Sequence, residues 1–217
     1  DHLSKILEAK HSKTDVPEMM KGMGNLTSSE KQSLLEMLLK HKQAFDGTLG
    51  RWTGEPCKTK WKDDVKPFHA KPFPVPKAHK HALKPEVDRP VRTGVLKKVN
   101  RSEWAAPSFI IPKKDKSVRF VNDFRELNKR IKRTPYPLPK MQEMLLKLEG
   151  FACATSLDLN VGHHHIALHP ESKQLCTLIF PFGKCELQVL PMGLCNSPDI
   201  FQEKMSVLFQ ELDCART

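Results

Sequence analysis

No apolar run in the 217 residues approaches the roughly 20 residues of a membrane-spanning helix. That argues against a spanning segment and against a membrane as partner. The first residues, "DHLSKILEAKHSK", lack the apolar stretch of a secretory signal. The six cysteines, at 57, 153, 176, 185, 195 and 214, include no CxxC pair. Cys153, Cys176 and Cys195 lie in apolar runs, so free thiols in a reducing compartment fit better than a disulfide framework or a zinc knuckle. The chain has a single tyrosine, Tyr136, and no internal repeat. It opens on Asp1 rather than Met and is expected to be a piece of something longer. Acidic residues are the scarce charge: 25 Asp and Glu face 36 Lys and Arg, giving a net charge of +11. Such an excess suggests a polyanionic partner, of which nucleic acid is the commonest.

Apolar residues make up 39% of the chain, enough for one sizeable core, or one core and an extended arm. Residues 1–50 read as helical and peripheral. "TSSEKQSLLEMLLKHKQAF" opens with capping residues at Thr27 to Ser29 and puts Leu34, Leu35, Leu38 and Leu39 on one stripe. Residues 51–92 include "KPFHAKPFPVPKAHKHALKP", rich in Pro, Lys and His, which predicts an extended run over a surface. Neither its histidines (His69, His79, His81) nor the distant His41 fit a standard metal spacing.

From about residue 93 the chain reads as a compact α/β unit. "APSFIIP" and "KSVRFVND" predict two short strands joined by the turn "KKDK". "PLPKMQEMLLKLEG" predicts a helix with Met141, Met144, Leu145 and Leu148 inward and Gly150 as its stop. "FACATSLDL" predicts a buried strand ending at Asp158. "LCTLIF" and "KCELQVLP" predict a hairpin around "PFG". In "NSPDIFQEKMSVLFQEL", Ser197 is placed to cap a helix with Pro198 in its first turn. Its apolar face is Ile200, Phe201, Met205, Leu208, Phe209 and Leu212.

Two features carry chemistry. An aspartate at the end of a buried strand needs a partner, and a divalent cation is one, since hard carboxylate oxygens suit Mg²⁺; a helix cap or a turn is another. The second is "KKDKSVRFVNDFRELNKRIKR", residues 113–133, with nine Lys or Arg against three Asp or Glu. A solvated helix face is the ordinary reading of such a run. Here Lys113, Lys114 and Lys116 fall in the expected hairpin turn, suited to a triphosphate or a nucleic-acid backbone. The triplet His163, His164 and His165 invites a metal reading. A zinc site would need a fourth ligand at plausible spacing, and adjacent histidines in a strand or tight helix cannot all aim at one ion.

The stretches "GVLKKVNRSEWAAPSFIIPKKDKSVRFVNDFRELNKRIKRTPYPLPKM", "SLDLNVGHHHIAL" and "LPMGLCNSPDIFQEKM", in that order, closely resemble the reverse transcriptase of gypsy-type long-terminal-repeat retrotransposons. The resemblance covers about residues 85–212. It implies an α+β fold, the fingers and partial palm of a right-hand polymerase. Residues 85–150 would be fingers and 151–217 a partial palm. Residues 1–84 resemble the segment that joins protease to polymerase in such polyproteins. The implied function is RNA- or DNA-templated DNA synthesis from deoxynucleoside triphosphates, with Mg²⁺ or Mn²⁺ as cofactor and Asp158 as the first catalytic, metal-holding carboxylate. Lys113 and Arg119 match residues that contact the incoming triphosphate. Val161, Gly162 and His163 match the floor of the nucleotide pocket, and Met192 lies in the loop beside nucleotide and template. Lys114, Lys116, Arg125, Asn128, Lys129 and Arg130 are the expected nucleic-acid contacts, with Asp123 and Arg125 read as structural or template-positioning.

Three departures stand out. The family's Tyr-x-Asp-Asp motif does not occur in the 217 residues, and Asp63-Asp64 in "WKDDV" is no substitute. His163 stands where the family usually has Tyr. Lys116 follows Asp115 where Gly is usual. The expectation is therefore a truncated or decayed copy, inactive alone. Its partners would be an RNA template, a DNA primer, a deoxynucleoside triphosphate and the remainder of the polyprotein. Its location would be intracellular, in a cytoplasmic virus-like particle or the nucleus. The competing reading is a non-catalytic nucleic-acid-binding remnant.

Overall fold

The structure is a computed structural model that describes residues 13–113, 118–146, 150 and 155–212. Two compact units divide the chain: residues up to Arg51, with Leu159–Val161 grouped to them, and the remainder from Trp52.

The first unit is helical, as expected. Helix α1, Val16–Lys21, starts at Asp15, whose Oδ1 accepts from the Glu18 N–H at 3.1 Å. Helix α2, Ser28–Lys40, begins in a full capping box. The Thr27 N–H donates to Glu30 Oε2 at 2.8 Å, and the Glu30 N–H donates back to Thr27 Oγ1. Two otherwise orphaned donors are met by one pair of side chains. Leu34, Leu35 and Leu38 of the anticipated stripe are half-buried, but Leu39 is exposed.

The second unit is built on a five-stranded sheet in the order β1-β5-β4-β2-β3. Its strands are β1 Leu96–Val99, β2 Ala106–Pro112, β3 Val118–Asn122, β4 Thr177–Phe180 and β5 Gly183–Leu187. Both expected hairpins are present. In the first, Ile110 faces Phe120 and Ile111 faces Arg119. In the second, Leu178 faces Cys185 and Phe180 faces Gly183. Gly183 has φ +146, a backbone state that side chains resist, which is why the tight "PFG" turn closes on glycine. The two hairpins join through a short parallel pairing, Ala106 with Leu178 and Pro107 with Ile179. The core combines Leu178 and Cys176, fully buried, with Ile131, Ile166, Leu168 and Leu190. Burial pushes the Cys176 thiol up to about 12, with Cys57 and Glu186 nearby acting in the same direction.

The stretch 51–92 differs from its sequence reading in its second half. Residues 52–76 do run extended, but they are laced to the sheet unit by backbone hydrogen bonds. Cys57 N donates to Ala167 O at 2.7 Å, Ala70 N to Ala105 O at 3.0 Å, and Lys132 N to Lys60 O at 2.9 Å. Residues Lys77–Arg92 form a helix, α3, with Pro85 and Pro90 inside it. An internal proline costs about 3 kcal/mol. Leu83 and Val87, one turn apart, are almost fully buried and contribute about 1.5–3 kcal/mol each, against about 6 kcal/mol for the two prolines, the rest coming from the helix's other packing on the sheet. The helix packs against β3 and β1. Tertiary burial has overridden a proline-rich local preference.

The other helices are α4 Arg125–Asn128, α5 Met141–Leu146, α6 Pro170–Leu175 and α7 Ser197–Phe209. Gly150 takes φ +76, and the expected helix stop there and Leu148 are not tested, because residues 147–149 lie outside the described residues. Two expectations about α7 need correction. Asn196, not Ser197, is its N-cap. Ser197 Oγ instead donates to Pro191 O at 2.6 Å, tying the preceding loop to the helix. Met205 is buried, but Leu208 and Leu212 are 56% and 51% exposed, so the apolar face is covered only in part.

Candidate nucleic-acid and nucleotide interface

Asp158 does not sit at the end of a buried strand. Residues 155–160 are exposed and non-regular, with Leu157 86% exposed; residues 151–154 lie outside the described set. A strand needs a neighbour to take its backbone groups, and no described strand pairs with 155–158. The buried-strand expectation for "FACATSLDL" is thus overturned over its described part. A two-ion centre needs several hard oxygens, and one carboxylate fills only one or two positions of an octahedral Mg²⁺ shell. Among the described residues no group of three His, Cys, Asp or Glu could hold a metal. Among the described residues, the donor set around Asp158 does not fit a two-metal site.

The histidine triplet lies in a 3-10 turn, Gly162–His165. At three residues per turn, consecutive side chains leave the axis about 120° apart, so the three imidazoles diverge. His163 stacks on Phe201 of α7, with centroids 4.8 Å apart and planes 19° from parallel. Burial pushes its pKa below the ordinary imidazole value. Gly162 is buried. Val161 has φ +51, an outlier for a β-branched residue, worth on the order of 1–3 kcal/mol of local strain.

Lys113 follows Pro112, which faces Val118, so Lys113 and Arg119 share one end of the β2–β3 hairpin. Both are half-buried. Lys114 and Lys116 lie outside the described residues. Beyond the hairpin, the cluster is less free than its charge suggests. Arg125 clamps Asp123 through both guanidinium edges, Nε to Oδ1 at 2.9 Å and Nη2 to Oδ2 at 2.7 Å. The clamp holds the Asp123 carboxyl below its usual range, while the Arg125 side chain stays 84% exposed. Lys129 pairs with Glu126. Arg130 donates to the Glu126 carbonyl and carboxylate, and its guanidinium lies over the Phe68 ring at 5.2 Å. Arg130 therefore serves to bind the extended arm as much as any ligand.

Asn128 joins its own motif to one 65 to 67 residues further along the sequence. Its Nδ2 donates to Gly193 O and its Oδ1 accepts from the Cys195 N–H, both at 2.9 Å. A carbonyl can only accept and an N–H can only donate, so the amide has one possible orientation. It clamps the loop that presents Met192, which is 54% exposed. Gly193 takes φ +94, so the loop needs a glycine there. A second clasp went unread in the sequence. Asn196 donates to Lys132 O at 2.9 Å. Asp199, 3% exposed, accepts from the Tyr136 N–H at 2.9 Å and pairs with Arg133 Nη2 at the same distance. The signal available was an acidic residue in the first turn of α7, which sequence alone reads as a dipole effect.

A cation-bearing hairpin joined by a parallel pairing to the rest of the sheet, with the Met192 loop clamped by Asn128, is the fold that the solved structures below share: the fingers and palm class of polymerase. Residues 111–215 match the family described as reverse transcriptase (RNA-dependent DNA polymerase), and this stretch belongs to that family. The Tf2-3 and Tf2-7 transposon polyproteins of Schizosaccharomyces pombe are each 29% identical to the chain, over 139 and 140 residues and 64% of it. The chain spans about a tenth of the length of these curated relatives. Among solved structures, the native prototype foamy virus protease-reverse transcriptase superposes with a TM-score of 0.76 at 26% identity. That alignment covers 97% of this chain and 27% of the foamy virus chain. A foamy viral protease-reverse transcriptase solved in complex with an RNA/DNA hybrid gives a TM-score of 0.77 at 20% identity, covering 94% of this chain and 28% of that one. The matched stretch, residues 111–215, is a reverse transcriptase domain, and the curated relatives it resembles are retrotransposon polyproteins.

Proposed function

We propose that this segment grips a template–primer duplex as part of an RNA-directed DNA polymerase, with residues 85–150 as fingers and 151–217 as partial palm. Residues 1–84 lead into it from an upstream protease. Lys113 and Arg119 face an incoming triphosphate, Val161, Gly162 and His163 form the floor of its pocket, and Met192 borders nucleotide and template. Lys114, Lys116, Arg125 and Lys129 meet phosphates of the duplex; Asn128 and Arg130 act by holding the loop and the arm. Asp158 contributes one carboxylate, and by itself it does not make a metal site.

The observation that carries this reading is the hairpin end shared by Lys113 and Arg119, in a stretch of net charge +6. Cations at a strand end suit a polyanion whose shape rather than sequence is read. The test is fluorescence anisotropy of a labelled RNA–DNA duplex across a salt series. Affinity should fall steeply with salt and barely change with sequence. Lys113→Ala, Lys114→Ala and Lys116→Ala together should flatten the salt slope by up to about 2.7, at about 0.9 per phosphate contact. An unchanged slope removes the hairpin from the binding surface.

A second reading is favoured by the exposure of Asp158 and by the lack of a Tyr-x-Asp-Asp motif in the 217 residues. The chain as it stands binds duplex without extending a primer. Templated extension by these 217 residues alone overturns that reading.

A further inference from the structure

We infer that the outer face of helix α3, Lys77–Arg92, is a second nucleic-acid-binding surface, separate from the β2–β3 hairpin. The inner face is settled by packing: Leu83 and Val87 are buried, and the helix lies against β3 and β1. Lys77, Lys80 and Lys84 are all exposed. Their spacing, three then four residues, makes one continuous row on a helix. At 1.5 Å per residue the row is about 10.5 Å long. That is the axial rise of about three phosphates on one strand of a duplex, at about 3.4 Å each.

The closest partners of the acids on this helix lie outside the lysine row, although Asp88 also feels the charge of Lys84. Glu86 pairs with Arg89 at 2.6 Å and Asp88 with Lys98 at 2.9 Å. No acidic residue occurs from Lys66 to Lys84. Among the described residues, no ion pair engages Lys77, Lys80 or Lys84. Like charges at these spacings repel along a helix, and a polyanion laid along the row relieves the repulsion.

The chemistry of the face selects the class of partner. Protein interfaces centre on desolvated apolar or aromatic side chains. The residues between the lysines are Ala78, His79, His81, Ala82 and the buried Leu83, and no large apolar side chain of this helix is exposed. Flexible ammonium groups with no large apolar side chain exposed between them suit a regular array of phosphates. An acidic peptide would offer the same sign of charge without the regular spacing.

The test uses the full 217-residue chain with Lys77→Gln, Lys80→Gln and Lys84→Gln combined. Binding of a labelled RNA–DNA duplex is followed by anisotropy across a salt series, beside the hairpin triple variant described above. The helix variant should keep the parent's melting temperature, because all three side chains are exposed. Its salt slope should be shallower by up to about 2.7, and the two triple variants should add when combined. An unchanged slope in the helix variant, with the hairpin variant still shifted, overturns the second surface and leaves the hairpin reading standing. A shift in the helix variant alone does the reverse. Competition by poly-glutamate that depends on these lysines, with duplex binding indifferent to them, assigns the face to an acidic protein and overturns the proposal.

Discussion

Replacing Asn128 by Ala removes both anchors of the loop that presents Met192. Two hydrogen bonds of 2.9 Å are lost, one to Gly193 O and one from the Cys195 N–H. Each is worth about 0.5–1.5 kcal/mol net. The Cys195 N–H is part-buried, so leaving it without an acceptor adds a fraction of the desolvation cost. The sum is about 2–3 kcal/mol. For a chain of this size, 1 kcal/mol moves the midpoint by about 2–4 °C, which gives a fall of about 4–12 °C. Tryptophan fluorescence is the appropriate probe, because Trp52, Trp61 and Trp104 all belong to the sheet unit. Asn128→Asp refines the argument. The carboxylate still accepts from Cys195 but turns lone pairs toward the Gly193 carbonyl, so it should recover less than half of the loss. Neither variant removes a cation, so the salt slope for duplex binding should stay that of the parent. Asn128→Ala within about 0.5 kcal/mol of the parent refutes the clamp. A large loss of duplex affinity at unchanged stability makes Asn128 a direct contact instead.

Two further outcomes follow from the buried groups. The His163 pKa is lowered by burial; a depressed folded value means stability present above the unfolded pKa, near 6.5, and lost as pH falls through that value toward the folded one. His163→Phe keeps the stack on Phe201 and cannot be protonated, so its melting temperature should drop less than the parent's between pH 7.5 and pH 5; equal drops refute the buried stack. Cys176, with its thiol pushed up to about 12, should resist thiol-reactive dye in the native state, whereas part-exposed Cys195 should label readily. Labelling of Cys176 as fast as of Cys195, followed by mass spectrometry, contradicts the core described above.

Much of the fold was legible because its signals are local. The two hairpins announce themselves by β-branched runs around short turns, and α2 by Thr27 and Glu30 at capping-box spacing. The order of motifs around Lys113, Asp158 and Met192 sufficed to point to the reverse transcriptase family. What the sequence could not determine was anything that depends on who lies beside whom. Pro85 and Pro90 argue against a helix, and only packing against the sheet, with Leu83 and Val87 buried, makes one there. "FACATSLDL" has the composition of a buried strand, yet a strand exists only where another strand accepts its hydrogen bonds, and 155–158 have none among those described. The basic run at 113–133 reads as a uniform patch of charge. Tertiary structure divides it: Arg125, Lys129, Arg130 and Arg133 are ion-paired to Asp123, Glu126 and Asp199, while Lys113 and Arg119 stand at the hairpin end. Asn128 and Asp199 carry no motif-level mark of their roles, because a side chain that bridges segments far apart in the sequence is defined by its partners, and those meet only once the chain has folded.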